Sequence, residues 1–263
     1  MPTKFPFMKK TIKICLLLAS FSAASCHSQD QKFVDLTQIS NDFDVSAFYH
    51  NKVKKTNETI ATDPKSLDKK KALALLDDPF FMKDTLGYFK TDGRLPADLS
   101  LEPTNDWMVR NKNPTEIFGY RYKTVAYNTE KDTLAILNTV PFPKMDMVED
   151  RKGNLMYLEV GKTSKNIAEF NKIKDYISKV GKKIAVDDST PNASYWEGEL
   201  FYYMLSKRDN KEEEIAYDSQ GNRIAKSMYV TEITLAMYDK SYIKKMEKLH
   251  IYSAGNQFWK KQL

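Results

Sequence analysis

The sequence predicts an α+β domain: a mainly antiparallel sheet of six to eight strands, packed by a helix at about residues 165–180. Three observations predict it. Ile167, Phe170, Ile173, Ile177 and Val180 recur at spacings of three and four, which lays one apolar stripe along a helix. Residues 228–238 alternate instead, with Tyr229, Thr231, Ile233, Leu235 and Met237 on one side and Val230, Glu232, Thr234 and Ala236 on the other. That period of two belongs to a strand with one packed and one wet face. Polar turns carrying Asp and Gly separate several such runs, and strands joined that tightly pair antiparallel.

In chain order, residues 46–115 read as short helices and Pro-bounded loops, and 116–263 as the sheet-and-helix part. A short helix is expected over 66–76, capped by Ser66 and stopped before Pro79. The turn at 128–132 is expected to join strands at 119–127 and 133–140. A second turn, with Gly153 and Asn154, joins 145–148 to 155–160. The 165–180 helix takes Ser164 as its N-cap and closes at Gly181. A strand follows at 195–205, then a turn at 217–222 and the alternating strand. A last helix runs over 240–250, with Asp239 as cap and Ile243, Met246, Leu249 and His250 along one side.

Residues 1–25 follow a different logic. Lys4, Lys9, Lys10 and Lys13 precede an apolar run of eleven residues from Ile14 to Ala24, and no acid interrupts them. This is the order of a signal peptide, and the run falls short of the roughly 20 residues a permanent transmembrane helix needs. The run ends in Ala23-Ala24-Ser25-Cys26, which resembles the lipobox of bacterial lipoproteins, although Ala23 stands where that family usually has Leu. The resemblance implies cleavage before Cys26 and a diacylglycerol-bearing Cys26 as a membrane anchor. Ordinary cleavage after the small residues Ser22-Ala23-Ala24 is the alternative, giving a soluble periplasmic or secreted protein. Residues 26–45 then form a polar tether and 46–263 a single domain. The only other cysteine is Cys15, so the body has no disulfide framework. Surface-directed lipoproteins of some phyla often carry an acidic cluster just past the cysteine, and here only Asp30 is near, so an outer-membrane position facing the periplasm is expected, with the cell surface as the other side open to it.

Removing residues 1–25 takes four lysines and no acid, which lowers the formal charge from +6 to +2. A nearly neutral body offers no clustered basic surface, so nucleic acid is not an expected partner. Apolar residues at 41% and aromatics at 12% suffice for a packed core.

Few residue patterns point to chemistry. Glu197 and Glu199, two apart in an expected strand, would share a face at about 6–7 Å, a spacing at which paired carboxylates can act on glycosidic bonds. His27, His50 and His250 have no metal-ligand spacing, and the sequence lacks a Gly-x-Ser-x-Gly elbow and a phosphate-cradling loop, so no cofactor or metal is expected. Trp196, Tyr195 and Tyr202, with Trp107, Trp259 and Tyr203, either line a binding groove or fill the core. The leading expectation is a non-enzymatic, membrane-tethered module that binds an envelope protein or polymer. The alternative is an exported hydrolase with Glu197 and Glu199 in its site.

Overall fold

A computed structural model describes residues 31–61, 78–90, 99–186, 190–217, 220 and 223–259. Strand β1 (Val34–Asp35) and helix α1 (Val45–Ala61) come first, then β2 (Phe80–Lys90), β3 (Leu99–Pro103) and β4 (Glu116–Ala126). Next come β5 (Ala135–Leu137), β6 (Val140–Phe142), β7 (Lys144–Asp150), β8 (Leu155–Ser164) and helix α2 (Ile167–Val180). The chain continues with β9 (Gly181–Ile184), β10 (Ala193–Gly198), β11 (Phe201–Tyr217) and β12 (Arg223–Asp239). Helix α3 (Lys240–Leu249), β13 (Ile251–Tyr252) and a 3-10 turn (Asn256–Phe258) complete it. The expected signal peptide, Cys26, His27 and the helix at 66–76 lie outside the described residues.

The fold is α+β with a large, mostly antiparallel sheet. That sheet has ten strands rather than six to eight, in the order β13-β3-β2-β4-β7-β8-β12-β11-β10-β9. Part of the surplus is at the edges, where β13, β3 and β9 are too short for an alternating pattern to show. A long strand, β2, also stands within 46–115, expected as short helices and loops, and residues 195–205 form not one strand but an antiparallel pair, β10 and β11. Gly198 permits the tight reversal, because a Cβ there would lie 2.7 Å from the Tyr203 ring and 3.2 Å from the Phe201 carbonyl.

The hairpin expected between 119–127 and 133–140 does not form. Asn138 and Thr139 both have positive φ, the geometry of a two-residue hairpin turn, so β5 folds back on β6. These two strands and β1 make a separate three-stranded sheet. Residues 31–45, expected as part of a tether, pack into the fold: β1 pairs in parallel with β5, and Val34, Leu36 and Val45 are buried. The β7–β8 hairpin forms as expected, with Gly153 at φ 85° in its turn.

Two cores flank the large sheet. On the first face, Met145, Met147, Leu158, Val160, Ile233, Leu235 and Met237 pack under the small sheet and two helices. Helix α1 contributes Val45, Phe48 and Tyr49 to this core, and α2 contributes Ile173 and Ile177. Sequence patterning shows short helices and loops where α1 stands. On the second face, Val148, Met156, Ala236 and Tyr238 pack under Tyr242, Ile243 and Met246 of α3 and under Phe258. Both faces of β12 are therefore covered near its C-terminal end, where one wet face is expected. Asn166, not Ser164, caps α2 by accepting from Ala168 N–H, because β8 runs through Ser164. Gly181 is extended rather than left-handed, since it opens β9 directly. Asp239 caps α3 as expected, but His250 takes the left-handed cap position instead of the apolar side.

Candidate functional site

Of the aromatic residues that suggest a groove, Trp196 and Tyr195 are core residues and Tyr202 is half-buried against the second core. Trp196 is 1% exposed and packs on the first face. Tyr195 and Tyr202 sit on the second face: Tyr202 stacks on Phe258 with centroids 4.8 Å apart, and the Tyr195 ring meets Phe258 edge-on at 5.7 Å. The sheet thus separates Trp196 from the two tyrosines, and the three line no common groove. Trp107 is 74% exposed in the segment after β3.

Glu197 and Glu199 do not form the expected pair. Glu197 is the next-to-last residue of β10, where its carboxylate accepts from Lys240 Nζ at 2.8 Å, and Glu199 lies in the bend before β11. Lys240 also lies over the Tyr202 ring at 5.3 Å, so this cation fastens the α3 start to the β10–β11 hairpin.

Other carboxylates are more deeply placed, and each serves the fold. On the first face Tyr122 stacks on Tyr49 at 4.9 Å and donates its hydroxyl to Glu149 Oε1 at 2.9 Å. Burial holds the Glu149 carboxyl above its ordinary range, against the opposing effects of Tyr122, Lys83 and the Ser46 backbone. On the second face Asp146 faces Glu159 across β7 and β8. Asp146 Oδ1 accepts from Thr124 N–H at 2.9 Å and so extends the β4–β7 connection past its last backbone pair. Burial raises the Asp146 carboxyl as well. Tyr157 donates to Glu159 Oε2 at 2.5 Å. Asp84, buried in β2, accepts from Arg121 Nη2 and Asn105 Nδ2, each at 3.0 Å. No group of three or more His, Cys, Asp or Glu among the described residues is arranged to hold a metal ion. His50 lies exposed on α1.

The feature that serves no core is the far end of β11 and β12. These strands pair from Phe201↔Asp239 to Tyr217↔Arg223, whereas β10 pairs with β11 only as far as Ser206 and β8 with β12 only as far as Thr231. Residues 207–217 and 223–230 therefore extend past the sheet as a two-stranded arm, roughly 25–30 Å long by strand rise. Polar cross-strand bonds hold its base. Arg208 donates to Glu232 through Nε and Nη2 at 2.9 and 2.6 Å, Asn210 Nδ2 reaches the same carboxylate at 2.6 Å, and Thr231 donates to Asp209 at 2.8 Å. That bond and Lys207 hold the Asp209 carboxyl below its ordinary range. Further out, Arg223 pairs with Glu213 at 3.4 Å. Tyr229 projects from the arm 79% exposed, and Ile224 is exposed too.

Sequence reasoning places Tyr229 on the packed side of a strand. The available signal is the stretch Lys207-Arg-Asp-Asn-Lys-Glu-Glu213, whose unbroken polarity shows that β11 outlasts its core-facing part.

No family model, curated protein or solved structure matches this chain. No helix among the described residues is long and apolar enough to cross a membrane.

Proposed function

We propose that this chain is an exported interaction module of the bacterial cell envelope, held at a membrane by acylated Cys26, with the β11–β12 arm as its docking element. One observation supports the docking role. Beyond the buried Val230 at its base, the arm orders two strands that join neither core and presents a backbone edge outward of Lys207 beside the exposed Tyr229 ring. Such edges are templates for a further strand, and a tyrosine supplies contact area at low entropic cost. An envelope protein or polymer is the partner class that the location implies. The near-neutral mature charge offers no electrostatic case for nucleic acid as the partner.

The test is a photo-reactive amino acid at Tyr229 in intact cells, with the exposed Ile60 at the end of α1 as the control site. The docking role predicts a discrete covalent product from position 229 and none from position 60. Equal background labelling at both positions contradicts it.

A further inference from the structure

We infer that the outer edge of β11 docks a second copy of this chain, the two edges pairing antiparallel about a two-fold axis at Asn210. The inference rests on reading the arm as a docking element and names its partner. Backbone geometry limits the registers. In antiparallel pairing, residues whose N–H and C=O point outward must face residues of the same kind. Lys207 N–H points outward, reaching the Asn192 carbonyl at 3.4 Å, so along β11 the odd-numbered residues face the outer edge, which is open to a partner from Asp209 onward. Two copies can therefore match odd with odd and even with even, and the allowed centres are single residues rather than the gaps between them.

Charge selects among these centres. With Asn210 opposite Asn210 of the second copy, Lys207 faces Glu213, Arg208 faces Glu212 and Asp209 faces Lys211, so every charged position from 207 to 213 meets its opposite. Shifting the centre to Asp209 sets Asp209 against itself and Lys207 against Lys211. Shifting it to Lys211 sets Lys211 against itself and Asp209 against Glu213. Like charges directly opposite destabilise a strand pair, and opposite charges stabilise it. Five of the six charged residues are exposed and Lys207 is half-buried, and the ion pairs they now make lie within the same arm, Lys207 with Asp209, Arg208 with Glu232 and Glu213 with Arg223. A two-stranded ribbon is marginal alone, while two joined ribbons make a four-stranded sheet. The two-fold axis closes the assembly at a dimer.

The full-length chain with Asn210→Cys tests the register in membranes under mild oxidation. At the centre, Cα atoms of facing residues in the close pair type lie about 4.5 Å apart, within disulfide reach. The inference predicts a covalent dimer from Asn210→Cys, none from Asp209→Cys or Lys211→Cys alone, and a mixed dimer when those two are co-expressed. Charge exchange gives a second readout on purified chains. Lys207→Glu with Arg208→Glu, and separately Glu212→Lys with Glu213→Lys, should each weaken self-association at least about tenfold, and an equal mixture should restore it. No dimer from Asn210→Cys, or equal yields from all three single cysteines, overturns the inference. If position 229 then still cross-links a different protein, the arm remains a docking element for that protein; silence at both positions removes both readings.

Discussion

Asp146 stands beside Glu159 across the β7–β8 ladder, and burial holds its carboxyl above the ordinary Asp range. An acid raised in the folded state binds its proton more tightly there than in the unfolded chain. Its contribution to stability is therefore full below the ordinary Asp value, about 3.9, and is lost as pH rises through the folded value. Asp146→Asn keeps an oxygen for Thr124 N–H and removes the charge. Urea unfolding across pH should show a flatter profile for this variant than for the parent, with equal or greater stability at pH 8. A loss above about 1 kcal/mol at pH 8 would mean that the charge itself is needed. Gly119 carries a steric demand instead: a Cβ there would lie 2.0 Å from the Glu149 carbonyl and 2.7 Å from Asp150 Cα. Backbone cannot yield as a side chain can, so Gly119→Ala is expected to cost roughly 2–4 kcal/mol by urea unfolding. A cost within about 0.5 kcal/mol would contradict the close β4–β7 approach.

Among the elements, α3 depends most visibly on one residue. Asp239, buried at the end of β12, accepts from Ser241 and Tyr242 N–H at 2.8 and 3.0 Å. Asp239→Ala should cost about 1–2 kcal/mol in urea unfolding, and an unchanged midpoint would show the cap to be dispensable. Helices α2 and α3 were legible in sequence because each shows an apolar stripe beside a capping residue. Helix α1 was not: its buried side chains cluster at Val45, Phe48 and Tyr49, and Lys52, Lys54 and Lys55 lead an otherwise largely polar remainder. The split between β10 and β11 was hidden because Gly198 turns the chain without the Asp or Asn that marks a turn. The buried state of Trp196 was equally hidden, since a local pattern cannot tell an inner aromatic from a displayed one. The carboxylate pair failed for a related reason: Glu197 and Glu199 share a face only if both belong to one strand, and they do not.

At the scale of the whole molecule, the sheet has both faces covered and its surplus length, the β11–β12 arm, projects past them. For the anchor, the intact mass of the mature protein should correspond to a chain beginning at acylated Cys26, recovered with membranes. A mature chain beginning elsewhere, without acyl mass and wholly soluble, would rule the tether out. For the arm, the decisive quantity is the free energy of unfolding of a chain whose residues 211–229 are replaced by an Asn-Gly turn, which keeps Asn210↔Val230 as the closing pair. If those residues exist for contact rather than for folding, unfolding should remain cooperative and the value should stay within about 0.5 kcal/mol of the parent. A fall of more than about 2 kcal/mol would show that the arm is part of what holds the sheet together.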